Sequence, residues 1–536
     1  MSAIKTYVKD FWFKKDPDQN QRLKSILYYV FPVVIIHFAL YKGLYSIGTL
    51  SIDSYFNNSI SLELLKKILQ NIYFIIVLII AVAVFRKKLF LSWTSFESGK
   101  IIKRVVVIIA LILAWYYSSY DYNFYFNQSH IFDRVLLVCF ALAIYYRPIF
   151  ILPFLLLLFS IMMQFASFPY YSTGISPFLL IRILILFLAF VVYKLLFKRF
   201  ELSIFVFLLC CLIGTHYFTP GYGKLNSEWI FNDHINYLIA ATYPNGWLSF
   251  LNESSISSFI QFLDTFNGHL RVFTLIVECG VLFFFFHLKY LRFILTCAIV
   301  MHLGILMYSG IFFWMWILLH LTLLFILFKK DLPIHNIFNR YYFIAGLFLI
   351  GLGKFWASAG ALSWLDSPLS YTYVIEAKTE DGEVLNLHPN FFSCYDYQFS
   401  LGNFKYLNEE PRLNIVWGAT DQSTSHYLNS ERSVKEIFEH ETENGKIYKD
   451  EKSKQIFVDF IKKFIGNRNK NLKGEDNYTK YLQAPELYWS FPYDLPSKVN
   501  QKITEVTVNE ITTYFTENEG FKIIRKKKVL HLIMDL

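Results

Sequence analysis

The chain has 536 residues, of which 55% are hydrophobic, 19% aromatic and 17% charged, with a formal net charge of +10. Soluble chains carry about 25% charged residues, so this composition excludes intrinsic disorder and most soluble folds. The shortfall is uneven, because residues 1–365 are 12% charged and residues 366–536 are 28% charged. The first part is typical of a membrane protein and the second of a soluble domain.

The positive charge belongs to the first part, which carries a net +14 against −4 for the second. We therefore expect basic loops beside a membrane and no nucleic-acid partner. The six cysteines form no CxxC motif and suggest no disulfide framework, so no metal site is expected. Residues 1–24 are polar and lack the apolar core of a cleavable signal peptide.

Eleven apolar segments are candidates for membrane spans, since a bilayer core needs about 20 apolar residues per helix. They lie near residues 26–47, 68–85, 105–120, 131–146, 148–167, 176–197, 202–219, 272–288, 291–308, 311–328 and 342–362. The sequence thus predicts a cytoplasmic N-terminal segment at 1–25, a transmembrane bundle at 26–365 and a soluble domain at 366–536.

The basic residues of the loops predict the orientation of this bundle. With a cytoplasmic N-terminus, 21 loop lysines and arginines fall on the cytoplasmic side and 5 on the other. Such a bias is expected of cytoplasmic loops. Eleven spans then place the C-terminal domain on the non-cytoplasmic side. The abundance of Lys, Asn, Ile and Phe suits an AT-rich bacterial genome, which suggests a bacterial inner membrane.

The longest loop of the bundle, residues 220–271, mixes aromatic and polar residues. This mixture predicts interfacial helices that cap a cavity between the spans, or that only shield the bundle. In the C-terminal part, the Asp381-Gly382 pair between two alternating stretches predicts a β-hairpin. Residues 431–468 have a helical pattern, and 499–535 contain two further strands. The predicted fold is a polytopic α-helical membrane protein of about 11 spans with a C-terminal α+β exterior domain.

Ionisable residues within spans are costly and are by default functional candidates. They are Asp133, Arg134, Arg182, Glu278, His302, His320 and Lys354, with His130 and Lys224 at helix ends. In the predicted topology, four of them converge on the outer half of the bundle: His130, Lys224, Glu278 and His302. The sequence therefore predicts a site there.

These residue types suit proton transfer. Burial disfavours the charged ammonium of Lys224, which can then act as a base, and histidine can donate or accept a proton near neutral pH. Structural alternatives remain open: Lys224 could extend to the membrane interface, His302 could join two helices, and Glu278 could pair with Arg271 or orient a neighbour. A structural role is expected for His320, which lacks a convergent partner.

Three motifs resemble one known family. The stretch from Tyr217 to Trp229 contains Gly221-Tyr-Gly-Lys224-Leu and ends in Trp229. It resembles the G-x-x-K-L-x-x-x-W motif of the vitamin K-dependent γ-carboxylases and their bacterial relatives, the HTTM-domain proteins. Asn127-Gln-Ser-His130 is similar to the family's Asn-His pair, and Met301-His302 to its quinone-contacting helix. Val277-Glu278 falls where the family has an acid, so that the resemblance covers residues 20–365.

The resemblance implies a carboxylase-like enzyme with Lys224, His130 and His302 as catalytic residues. His302, Glu278 and Trp229 would bind the cofactor, a reduced vitamin K or menaquinol. Its oxidation by O2 to the epoxide would be coupled to the addition of CO2 to glutamate side chains. The implied partners are membrane lipid, a lipid-soluble quinone and a Glu-containing peptide. The alternative is a non-catalytic HTTM-type transporter, or a quinone- or lipid-binding sensor, whose exterior domain binds a partner.

Overall fold

The computed structural model describes residues 2–85, 91–120, 122–167, 175–232, 234–329, 332–360, 365–416, 419–472, 499 and 501–534. The chain is mostly helical. In its first part the helices are α1 Ser2–Phe13, α2 Gln19–Ser25, α3 Phe31–Gly48, α4 Ile60–Gln70, α5 Ile72–Phe85, α6 Gly99–Ser118, α7 Ile131–Tyr146, α8 Ile151–Met163 and α9 Ile175–Phe197. A π-helical turn, Ile26–Val30, joins α2 to α3 without a break.

The remaining helices of the bundle follow from residue 202 onward. They are α10 Leu202–Asn226, α11 Trp229–Asn232, α12 Tyr237–Thr242, α13 Glu253–Asp264, α14 Asn267–Gly280, α15 Leu288–Ser309, α16 Trp314–Leu327, α17 Arg340–Gly351 and α18 Gly353–Trp356. Segment 220–271 contains the end of α10, the short helices α11 to α13 and the start of α14.

Several of these helices are long and apolar enough to cross a membrane. Among the described residues there are five: Gln19–Gly48, Gly99–Ser118, Pro177–Phe197, Leu202–Asn226 and Leu288–Ser309. The pair Glu253–Asp264 and Asn267–Phe283, bent by 65°, would make a sixth, and Pro148–Met163, Trp314–Leu327 and Arg340–Gly351 are shorter apolar helices. A helix overlaps each of the eleven predicted segments, but length and composition support five or six spans.

The contacts between loops agree with the orientation predicted from the loop charges. Loops predicted to lie on one side of the membrane meet at one end of the bundle. At one end, Phe56 packs on Phe126 with ring centroids 5.0 Å apart. The neighbouring Tyr125 stacks on Phe460 of the C-terminal part at 5.0 Å. At the opposite end, Tyr29 stacks on Tyr193 at 4.5 Å. The C-terminal part therefore covers the end that carries the α6–α7 loop.

The described residues of the C-terminal part form an antiparallel sheet and several helices. The strands are β1 Leu369–Thr379, β2 Val384–Leu387, β3 Ile503–Thr516 and β4 Gly520–Ile533, in the order β2-β1-β3-β4. The helices are α19 Asp396–Leu401, α20 Gln422–Leu428, α21 Val434–Asn444 and α22 Glu451–Lys470. The β1–β2 hairpin is confirmed, and its turn places Gly382 at φ +89°, which glycine adopts without strain.

Candidate functional site

Helix α10 forms the centre of the bundle and is buried over most of its length. Gly221 lets α14 pack closely against it, because a Cβ at this position would lie only 2.8 Å from the Cβ of Glu278. Small residues allow helices in membranes to approach in this way. The close approach brings the carboxylate of Glu278 to Lys224, which follows Gly221 by nearly one turn of α10.

Lys224 and Glu278 form a buried ion pair. The Nζ atom of Lys224 lies 2.7 Å from Oε1 and 2.9 Å from Oε2 of Glu278, and the two side chains are 2% and 7% exposed. The ring of Trp229 lies 5.5 Å from Nζ and adds a cation–π contact. Lys224 therefore points into the protein. Among the described residues, the ion-pair partner of Glu278 is Lys224 rather than Arg271.

This pair can exchange a proton internally. When the proton of Nζ passes to the carboxylate, both side chains become neutral, which removes the cost of burying two charges but also their attraction. Lys224 can then offer a neutral amine to an acidic group nearby, as a general base must.

A second polar cluster lies on the same face of α10, two turns before Lys224. The hydroxyl of Tyr217 lies 2.7 Å from Nε2 of His302 in α15 and 3.1 Å from Nε2 of His320 in α16. All three side chains are buried. Seven residues separate Tyr217 from Lys224, which corresponds to about 10 Å along a helix.

The partners of this cluster fix its protonation. Nδ1 of His320 lies against the main-chain carbonyl of Trp316, which can only accept, so Nδ1 carries the proton. In a neutral ring, Nε2 of His320 is then an acceptor for the Tyr217 hydroxyl. The oxygen of Tyr217 in turn accepts from Nε2 of His302, and Nδ1 of His302 is left as a bare acceptor.

This acceptor atom is buried and has no hydrogen-bond partner in the part of the chain that the structure describes. The rings of Phe313 and Trp316 lie 5.0 Å and 5.4 Å from that of His302. Buried polar atoms are rarely left unsatisfied, and each exception needs an explanation. A ligand with a hydroxyl group and a flat apolar body would satisfy both the acceptor and the aromatic surface.

His130 has different neighbours. It precedes α7 with φ +49°, and its Nε2 lies 3.1 Å from the main-chain oxygens of both Tyr55 and Asn57. Asp133, one turn later, accepts hydrogen bonds from the amides of Ile60 and Ser61 at 2.8 Å each. These contacts fasten the α3–α4 connection to α7. None of the hydrogen bonds of His130 in the described structure reaches Lys224 or His302.

Two members of the site, Tyr217 and His320, were not among the four residues predicted to converge. The expectation that His320 lacks a convergent partner is wrong, because it shares the hydroxyl of Tyr217 with His302. The sequence positions of His302 and His320 could have predicted this pairing. His302 precedes the α15–α16 turn by about as many residues as His320 follows it, and residues at equal distances from a tight helical turn lie at the same depth.

No protein-family model matches this chain, nor does any curated protein or solved structure. Within the described residues, no group of three or more His, Cys, Asp or Glu side chains is arranged to hold a metal ion. The interpretation of the site therefore depends on its geometry and on the motif around Lys224.

Proposed function

We propose that the protein is an integral membrane enzyme similar to the vitamin K-dependent γ-carboxylases. It would couple the oxidation of a reduced naphthoquinone to the carboxylation of glutamate side chains. The observation that carries this proposal is the pairing of two features on one face of α10: the buried Lys224–Glu278 pair and the unpartnered acceptor of His302.

The side chains of the site fit a reduced naphthoquinone. A hydroquinone has hydroxyl donors on a flat aromatic ring, so one hydroxyl can donate to Nδ1 of His302 while the ring packs on Phe313 or Trp316. When bound, such a quinol supplies, with O2, the strong base that removes a proton from the γ-carbon of glutamate. The apolar surroundings would exclude water from this chemistry.

Each residue then has a defined task. His302 accepts the hydrogen bond of the ligand, and Tyr217 and His320 hold it in the required tautomer. Lys224 takes a proton at Nζ after passing its own proton to Glu278, and Trp229 stabilises the resulting ammonium ion. The geometry supports Lys224 and His302 in catalysis, whereas the contacts of His130 support a role in shaping the loop beside α7.

The proposal includes eleven spans, a cytoplasmic N-terminus and a non-cytoplasmic C-terminal domain, in a bacterial inner membrane. The charge bias of the loops and their grouping at the two ends of the bundle support this topology. A Glu-containing peptide would then approach from the outer side, where the C-terminal part covers the bundle. The quinone would enter from the lipid.

The test uses the full-length protein in lipid nanodiscs with reduced menaquinone, O2, labelled bicarbonate and a Glu-containing peptide. We expect quinone epoxide and labelled peptide from the wild type and neither from Lys224→Ala. Lys354→Ala, a change at an exposed lysine of α18, is the control and should keep both products. Equal activity of the wild type and Lys224→Ala would refute the catalytic role, and epoxide without labelled peptide would refute the carboxylation.

One observation favours the alternative of a non-catalytic quinone-binding sensor. Lys224 donates to both carboxylate oxygens of Glu278, as in a structural ion pair. In that case the same nanodiscs would bind the quinol and form no epoxide, and Lys224→Ala would change stability but not binding.

A further inference from the structure

A second unexplained group lies deeper in the bundle. Arg182, about two turns into α9, is completely buried, and none of its three guanidinium nitrogens has a hydrogen-bond partner among the described residues. Its guanidinium carbon lies 3.1 Å from the ring centre of Tyr41 and 5.1 Å from that of Phe178. Cation–π contact satisfies the flat face of a guanidinium group, but the N–H groups at its edge remain without acceptors.

Two buried histidines adjoin this arginine. His37 of α3 and His216 of α10 both interact electrostatically with Arg182 and with each other. The ring of His37 lies against the main chain of Arg182. Among the described residues, neither of its nitrogens makes a hydrogen bond of standard geometry, and Nε2 of His216 makes none either. No carboxylate among the described residues interacts with Arg182. Three helices therefore bring a cation and two imidazoles together without a counter-ion.

An unpaired buried charge is costly, so the cluster calls for an anion. The guanidinium edge matches the two oxygens of a planar carboxylate-type group. Nδ1 of His216 donates to the carbonyl of Leu212 at 2.8 Å, so Nε2 of the neutral ring is an acceptor. The anion that fits both requirements has two acceptor oxygens and one hydroxyl donor, which describes bicarbonate.

We propose that Arg182, His37 and His216 form a buried bicarbonate site. Arg182 holds two oxygens of the ion along its N–H edge, and the hydroxyl of the ion donates to Nε2 of His216. His37 offers one ring nitrogen, which completes the shell. Trp316 contacts both His216 and His302, with ring centroids 6.0 Å and 5.4 Å apart. The inference does not depend on the proposed carboxylation, because binding alone decides it.

The test is the binding of carbon-13 bicarbonate to the full-length protein in nanodiscs, followed by NMR and by the thermal midpoint of unfolding. We expect saturable binding and a rise of the midpoint by a few degrees in the wild type. Arg182→Met should lose both effects. Because this change removes an uncompensated charge, we expect it to be at least as stable as the wild type without bicarbonate.

Arg134→Met is the matched control. Arg134 is also buried and stacked, 3.6 Å from the ring centre of Tyr120, but it donates to the carbonyl of Tyr120 at 2.6 Å. Its replacement should leave bicarbonate binding unchanged. Absence of binding in the wild type, or equal binding by Arg182→Met, would overturn the proposal.

Two further comparisons test the chemistry of the ion. Formate has the two oxygens but no hydroxyl group, so it should bind about tenfold more weakly than bicarbonate, and chloride should not compete at equal ionic strength. His216→Phe should lower the affinity for bicarbonate about tenfold and leave the affinity for formate unchanged. This comparison tests the proposal even if Arg182→Met does not fold. Equal affinities for the three anions would contradict the assignment to bicarbonate.

Discussion

Lys224 and Glu278 meet in the centre of the bundle, with Nζ 2.7 Å and 2.9 Å from the two carboxylate oxygens. They lie on α10 and α14, and neither charge reaches solvent. The pair therefore joins two helices at the same point at which the proposed chemistry needs a proton acceptor. Its contributions to stability and to activity can be separated by mutation.

The first prediction concerns stability. Lys224→Met or Glu278→Leu should each lower the free energy of unfolding by about 3–5 kcal/mol, because each leaves a buried charge alone. The double variant should recover most of this loss, since two apolar side chains of similar size replace the pair. Denaturant unfolding of the four proteins gives the coupling energy. Additive losses in the double variant would contradict a direct buried pair.

An exposed pair provides the control for that cycle. Lys66 and Glu63 lie 2.6 Å apart on α4, with side chains 65% and 18% exposed. Solvent screening limits such pairs to about 0–1 kcal/mol. Lys66→Met should therefore have little effect on the same measurement.

The second prediction concerns the hydroxyl of Tyr217. Tyr217→Phe removes the group shared by His302 and His320, so both histidines lose a partner. We expect a loss of about 1–3 kcal/mol in stability and weaker binding of the reduced quinone, because the tautomer of His302 is no longer fixed. Tyr45→Phe changes a half-exposed tyrosine and should alter neither. Unchanged quinol affinity in Tyr217→Phe would argue against the hydrogen-bond chain.

The third prediction concerns the contact between α10 and α14. A methyl group in Gly221→Ala would lie 2.8 Å from Cβ of Glu278 and 3.2 Å from Sγ of Cys279. Overpacking of this kind costs about 1–3 kcal/mol, and it should also separate Lys224 from Glu278 and lower epoxide formation. Gly43→Ala, where nothing lies within 4 Å, should instead stabilise α3 slightly. Equal effects of the two changes on the thermal midpoint would show that the contact is loose.

The fourth prediction concerns Lys405 in the C-terminal part. Its Nζ is buried without a hydrogen-bond partner, 5.1 Å from the ring centre of Tyr448. Burial lowers the pKa of Lys405 from 10.5 to about 7, although nearby Glu510 opposes this effect. Between about pH 7 and pH 10.5 the unfolded chain thus binds more protons than the folded one. Stability should rise with pH in this range, by at most about 1.4 kcal/mol per pH unit.

Thermal unfolding of the full-length protein from about pH 6.5 to about pH 9 checks this slope. Lys405→Met should remove it and raise stability most at the lower pH, where the ammonium is charged in both states. Lys435→Met, at a lysine side chain that is 86% exposed, should leave the slope intact. A slope that persists in Lys405→Met would assign the titration to another group.

Much of this architecture could be predicted because apolar runs and turn residues act locally. A helix overlaps each long apolar segment, although five or six are long enough to span a membrane. Asp381-Gly382 forms a hairpin because glycine accepts the positive φ of the turn. The convergence of Lys224 and Glu278 followed from their depth on the same side of the bundle. These inferences needed only the order of the segments along the chain and the alternation of the loops between the two sides of the membrane.

Other features depend on how the helices are rotated, which a single sequence does not specify. Tyr217 is one aromatic residue among many until α15 and α16 place two histidines on its hydroxyl. The contacts of His130 are with main-chain oxygens, which leave no pattern in the sequence. The same is true of Arg182, whose lack of a counter-ion becomes visible only when the bundle is assembled.

The most direct test of the account is the affinity of the full-length protein for the reduced and the oxidised form of one naphthoquinone. Nδ1 of His302 is an acceptor, so it can accept a hydrogen bond from the hydroxyl of the reduced form. The oxidised form has only a carbonyl oxygen there, which is also an acceptor, so no hydrogen bond can form. We predict that the reduced form binds about tenfold to a hundredfold more tightly, from a hydrogen bond of about 1–3 kcal/mol, and that His302→Phe removes the difference. Equal affinity for both forms in the wild type would contradict the central claim.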